Sequence, residues 1–188
     1  MKYIMKSGKL YLDGAMLIQC KSRRISPWKI ICDKEGKELL YTETYQKNSD
    51  VSGISDMQAK ESSRAEYRDI SLRRYLLRKM DGSVCISAAP FYAAEERLTE
   101  NGFPVCRMPR VDHALMDIQG KTCVLIRKKW GEYVLQDEGG KVLMQILYAG
   151  ALGLQYEIET FSTWKPEMIV GIVQLSRCME RESEFLNV

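Results

Sequence analysis

Histidine is almost missing from this chain: His113 is the single one among 188 residues. Six cysteines are present (Cys20, Cys32, Cys85, Cys106, Cys123, Cys178), yet no two of them form a CxxC pair. A zinc site built from Cys and His therefore lacks both the ligands and the spacing. No apolar run reaches the ~18 residues that a membrane-spanning helix needs. The opening stretch "MKYIMKSGKLYLDG" has no apolar signal-peptide core, so a cytoplasmic chain with reduced thiols is expected. Also missing are a P-loop, a GxGxxG strand-to-helix turn, a GxSxG elbow and an HExxH pair. No common catalytic class is named by the sequence, and no cofactor or metal is expected. Charge of one sign is lacking too: 28 Lys and Arg stand against 25 Asp and Glu, a net +3. That balance permits an acidic partner without requiring one.

What is present is apolar sequence in two patterns. With 45% apolar and 28% charged residues, the chain suits one folded domain with a single core, spanning residues 1–188. The first pattern is "KPEMIVGIVQLSRCMER", residues 165–181, where Met168, Ile169, Val170, Ile172, Val173 and Leu175 leave no polar face over two helical turns. A helix that is apolar all round must be covered on every side. Gln174 and Ser176 interrupt it, and it is too short to cross a bilayer, so its cover must be protein. Pro166 suits a first helical turn, Thr163 is the expected cap, and Glu167 suits the positive end of the dipole.

The second pattern is a recurring turn. Ile31, Asp33 and Gly36 share their spacing with Leu77, Lys79 and Gly82, with Leu115, Asp117 and Gly120, and with Leu135, Asp137 and Gly140. Weaker relatives are "MKSGKLYL" and "RKKWGEYVL". Asp opens turns and Gly supplies a positive φ, so each marks a hairpin, and the set implies about a dozen strands. These strands fall in two stretches, 1–46 and 70–161. Between them lies a polar insert, 47–69, with too few apolar residues to bury much. Residues 92–99 read as a surface helix stopped at Asn101-Gly102. "YAGALGLQY" reads as a bend in a curving strand.

A sheet of about twelve strands, once closed, has an interior too wide for its own side chains to fill. The apolar helix supplies the filling. The turns at Asp33–Gly36, Asp117–Gly120 and Asp137–Gly140, with the tail "YEIETFSTWKPEMIVGIVQL", resemble the tubby-like family, in particular its LURP-one-related members. The resemblance covers most of the chain outside 47–69. It implies a mainly β, roughly twelve-stranded antiparallel closed barrel around a hydrophobic C-terminal helix. It further implies a binding or scaffolding role and not catalysis. The implied partner is an anionic phospholipid headgroup or a protein, met in the cytoplasm or at a membrane periphery. The tubby lipid-binding motif matches no positions here, so it assigns no residue.

Candidate binding residues come instead from basic clusters: Lys21, Arg23 and Arg24; Arg73, Arg74, Arg78 and Lys79; Arg107 and Arg110; and Arg127, Lys128 and Lys129, with Arg23, Arg24, Arg73, Arg74, Arg127, Lys128 and Lys129 taken as the anion-binding candidates. Arg grips phosphate bidentately and Lys supplies a point charge. The plainer reading of the same residues is a set of solvated strand faces, and only convergence of two clusters in space would favour binding. His113 follows Asp112, but neighbours on a strand point to opposite faces, so no dyad is expected. Cys106 beside Arg107 is the candidate nucleophile. The other cysteines read as small core residues, and "RCMERESEF" as a solvated helix end. Two alternatives stay open. One is an enzyme with a small pocket; the other is a single-stranded nucleic-acid binder with Trp130, Tyr75 or Tyr133 exposed for stacking.

Overall fold

The computed structural model describes residues 1–22, 28–46, 73–92, 99–100, 103–104, 111–129, 131–149 and 155–185. The strands are β1 (Lys2–Lys6), β2 (Lys9–Leu12), β3 (Ala15–Ser22), β4 (Lys29–Asp33), β5 (Glu38–Gln46), β6 (Arg73–Lys79), β7 (Val84–Tyr92), β8 (Thr99–Glu100), β9 (Phe103–Pro104), β10 (Val111–Ile118), β11 (Lys121–Lys129), β12 (Glu132–Asp137), β13 (Val142–Ala149) and β14 (Gln155–Thr160). One helix, α1 (Pro166–Phe185), follows. Twelve of the strands close into a barrel in the order β1-β14-β13-β12-β11-β10-β7-β6-β5-β4-β3-β2. Antiparallel β1–β2 pairing seals the ring, and β8 and β9 form a separate pair. The insert 47–69 and residues 93–98, expected as part of a surface helix, lie outside the described residues; Tyr92 ends a strand.

The recurring turn divides into two kinds. After Asp33, Lys79 and Asp137 the geometry repeats. The first residue's N–H donates to the carbonyl four residues on, and the glycine N–H donates back to that first residue's carbonyl. Each returning strand then carries one extra residue that its partner does not match, at Leu39, Cys85 and Leu143. Such bulges bend a strand and sharpen its twist, which a closing sheet requires. Asp117–Gly120 has the same spacing but another structure. Ile118 pairs with Lys121, and Gln119 and Gly120 both have positive φ, 55° and 80°. This is a two-residue turn whose twist matches that of its strands. Asp13-Gly14 is built alike, with φ of 49° and 80°, although it lies outside the repeated spacing. The chain also reverses between β13 and β14, where Ala149 pairs with Gln155. The expected bend there is a hairpin connection, with residues 150–154 outside the described set.

Every residue from Met168 to Ser176 is buried. At 3.6 residues per turn this run covers all sides of the helix. The helix packs on β3, β4, β5, β6 and β10, while its Glu180 acts on Tyr133 of β12, across the ring. The barrel thus encloses α1. Inward wall residues Leu10, Ile31, Leu77, Ile86, Leu125, Leu135, Met144 and Ile146 join Ile169, Val170, Ile172 and Val173 in one core. Burying such side chains stabilises the fold by roughly 1.5–3 kcal/mol each. Ser176 fits this apolar setting because its hydroxyl donates to the Val173 carbonyl at 2.8 Å. Pro166 opens the helix as expected, but the first carbonyl to accept is that of Lys165, from Met168 and Ile169. Thr163 is exposed and makes no capping bond among the described residues.

Candidate functional site

Antiparallel closure gives the barrel two unlike mouths. The short turns 34–37, 80–83, 119–120 and 138–141 rim one, together with the start of α1. At the other mouth β3, β5, β7, β11 and β13 end, and β4, β6, β10, β12 and β14 begin. The C-terminal half of α1 also points there. Ser22, Lys29, Arg73, Arg127 and Lys128 are consequently all carried at this second mouth.

The sequence-derived cations behave differently from one another. Arg127 is half-buried and stands across from Tyr133 in the β11–β12 register. Its Nη1 is buried without a hydrogen-bond partner among the described residues, and so is the Tyr133 hydroxyl. Lys128, the next residue, is exposed. Arg74 is 4% exposed, so it does not present a surface cation. Arg78 is committed to the wall: its Nε donates to Glu43 Oε2 at 2.7 Å and its Nη1 to the Gly82 carbonyl at 2.8 Å. Arg73 and Lys129 belong to described strands, but their side chains lie outside the described set. Arg23, Arg24, Cys106, Arg107, Arg110 and Trp130 lie outside it altogether. Tyr75 and Tyr133 are each 0% exposed, which removes both from any stacking surface.

Where the wall meets the helix at the second mouth, a cavity of about 200 Å³ opens between Ser7, Cys20, Ser22, Lys29, Tyr156 and Arg177. The Lys29 ammonium donates to Ser22 Oγ. Lys29 and Arg177 both act electrostatically on the Cys20 thiol, which burial nevertheless pushes up to about 11. Burial also raises the Tyr156 phenol; Arg177 and Arg181 oppose that shift and Glu180 adds to it. The Tyr133 phenol is raised chiefly by burial and further by Glu180, with Arg127 opposing. Two basic residues from α1 and one each from β4 and β11 therefore surround this mouth. Sequence reasoning missed Lys29 and Arg177, and read the helix tail as solvated. Instead Arg177, Cys178, Glu180 and Arg181 are half-buried and Met179 is 0% exposed. A signal existed: Arg177 lies three residues after Gln174, on the same face of an otherwise apolar helix.

A larger hollow, about 540 Å³, lies on the outer face of β13, β14, β1 and β2. Ile4 and Leu147 are exposed in it, flanked by Lys2, Lys6, Glu157 and Glu159. Its lining carboxylates Asp13, Glu157 and Glu159 outnumber Lys2 and Lys6, and Lys2 lies 3.9 Å from Glu159, so it does not select an anion. His113 and Asp112 correct the alternation argument. His113 Nδ1 lies 3.1 Å from Asp112 Oδ2, because a bulge between Val111 and His113 breaks the register on β7. The ring also stacks on Phe91 with centroids 4.9 Å apart. Burial raises the thiols of Cys32, Cys85 and Cys123, as their reading as core residues expects. No group of three or more His, Cys, Asp or Glu able to hold a metal occurs among the described residues. No helix among them is long and apolar enough to cross a membrane. No family model, no curated protein and no solved structure matches this chain.

Proposed function

We propose that the chain is a non-enzymatic binding module of the tubby-like, LURP-one-related type, which engages an anionic phospholipid surface from the cytoplasmic side. The observation that carries this reading is the gathering of basic residues at one mouth: Lys29, Arg127, Lys128, Arg177 and Arg181, contributed by β4, β11 and α1. Cations carried around one rim, here on β4, β11 and α1, add their fields, and an anionic membrane attracts each by about 1 kcal/mol near its surface. An enclosed apolar helix and a wall of bulged hairpins supply a rigid frame for such a rim, and they agree with the family's architecture. The role asks for no nucleophile and no cofactor.

The test is co-sedimentation with vesicles carrying about a quarter anionic lipid, at low and at physiological salt. The expected result is binding that weakens steeply as salt rises, because screening shortens to ~8 Å at physiological ionic strength. Lys128→Glu should reduce binding several-fold. Equal recovery with neutral and anionic vesicles would refute the reading.

A further inference from the structure

We infer that the cavity between β4 and the C-terminal half of α1 is a binding site for a single phosphoryl group, held between Lys29 and Arg177. This rests on the anionic-surface reading above and assigns its recognition chemistry to a place inside the rim. The argument begins with what lines the cavity. Two side chains are cationic, Lys29 and Arg177, and three carry hydroxyls, Ser7, Ser22 and Tyr156; none of the lining residues is a carboxylate. Arg177 makes no hydrogen bond or ion pair among the described residues, so its fork of donors is available to a ligand. Lys29 is already aimed by its bond to Ser22.

Charge and shape then choose the ligand class. Two full positive charges match a phosphate dianion, whereas a carboxylate would neutralise one of them. Arg matches two phosphate oxygens with paired N–H donors, and Lys adds a compact point charge. Both cations line the one cavity, and both act electrostatically on the Cys20 thiol beside it. At about 200 Å³ the cavity is smaller than the roughly 300–1,000 Å³ sites that enclose drug-sized ligands. It accepts a phosphoryl group with a few attached atoms and excludes an acyl chain. Burial of Met5 and Gln174 at its floor, 2% and 4% exposed, keeps the site partly dry, which strengthens each charged contact.

The phosphoryl group could belong to a soluble phosphate ester or to a phosphorylated lipid headgroup. The experiment is calorimetric titration of the full chain with inorganic phosphate at low salt, for the wild type, Arg177→Met, Lys29→Gln and Lys121→Gln. Saturable binding is expected, weakened about tenfold or more by Arg177→Met and by Lys29→Gln and unchanged by Lys121→Gln, an exposed residue at the opposite, turn-rimmed mouth. Should Arg177→Met fail to fold, Lys29→Gln decides alone, because it replaces a half-buried strand residue. No saturable binding by the wild type, or binding that survives both cavity substitutions, overturns the site. A parallel arm uses vesicles containing a phosphorylated inositol lipid. Their release by millimolar phosphate supports the site with lipid as the source. Phosphate binding without vesicle binding supports it with a soluble source and removes the membrane reading. Vesicle binding without phosphate binding removes the cavity and leaves the membrane reading standing.

Discussion

Gly171 of the enclosed helix meets Leu77 of β6 so closely that a methyl group on its Cα would stand 2.3 Å from Leu77 Cδ2 and 3.1 Å from Cδ1. Both positions are buried, and Leu77 is 0% exposed. The helix therefore touches its wall through bare backbone at this point. Gly171→Ala gains helix propensity of ~1 kcal/mol, but it overpacks the core at a cost of roughly 1–3 kcal/mol. We expect a net loss of about 1 kcal/mol in urea unfolding, relieved when Leu77→Val is added, with a coupling of ~0.5–1 kcal/mol between the two sites. A stabilised Gly171→Ala variant would show that the wall is looser than this contact requires.

The helix as the centre of the core gives a second expectation. Ile172 is 0% exposed, so Ile172→Ala removes buried methyl groups and leaves a cavity, costing about 2–5 kcal/mol. Ile172→Asp adds an unpaired buried charge and should prevent folding. Phe161→Ala, at a residue 50% exposed before the helix, should stay within ~0.5 kcal/mol. Thermal melts followed by circular dichroism rank the three. A mild Ile172→Ala beside a severe Phe161→Ala would place the core elsewhere.

The bulged hairpins make a third, graded case. Asp137 Oδ1 accepts from Gly139 N at 3.0 Å and Lys141 N at 2.9 Å, while Asp33 Oδ1 accepts from Lys37 N at 2.8 Å. Each such bond contributes about 0.5–1.5 kcal/mol. Asp137→Ala should therefore lower the urea midpoint more than Asp33→Ala. Lys79 occupies the equivalent place in the third hairpin, where Asp81 Oδ1 accepts from Ser83 N instead. Asp81→Ala thus takes the role there that Lys79→Ala does not. Equal midpoints for Asp81→Ala and Lys79→Ala would contradict this division.

Cys20 supplies the pH dependence. Burial lifts its thiol from 9.0 to about 11, against the opposing charges of Lys29 and Arg177. The folded pKa lies above the unfolded one, so this group's contribution to stability is complete below pH 9 and is lost as pH rises through 11. Iodoacetamide should modify Cys20 slowly at pH 8 in the native chain and faster as pH climbs toward 11, read by mass spectrometry of the Cys20 peptide. Arg177→Met removes a charge that favours the thiolate and should slow modification further at any one pH. Faster modification in that variant would separate Arg177 from the cavity.

Much of the wall could be read from particular residues. Asp33, Asp137 and their glycines announced hairpins because a tight turn needs an acceptor side chain and a positive φ, both local requirements. The bulges at Leu39, Cys85 and Leu143 left no such mark, since they answer to the curvature of the closed ring. The same spacing at Asp117 folded into another turn because its strands pair one step further in, a choice made across strands. The candidate site was harder to foresee. Its cations Lys29 and Arg177 are 148 residues apart in numbering and belong to different elements, and neither sits in a basic run.

By itself, the sequence determined that an all-apolar helix had to be enclosed and that polar-tipped hairpins were available to enclose it. Those are consequences of local pattern and of the free energy of burying apolar surface. Only the tertiary structure decided which mouth the charges reach. Ring closure and the antiparallel order of the strands place the end of α1 beside the start of β4, and no local signal encodes that meeting.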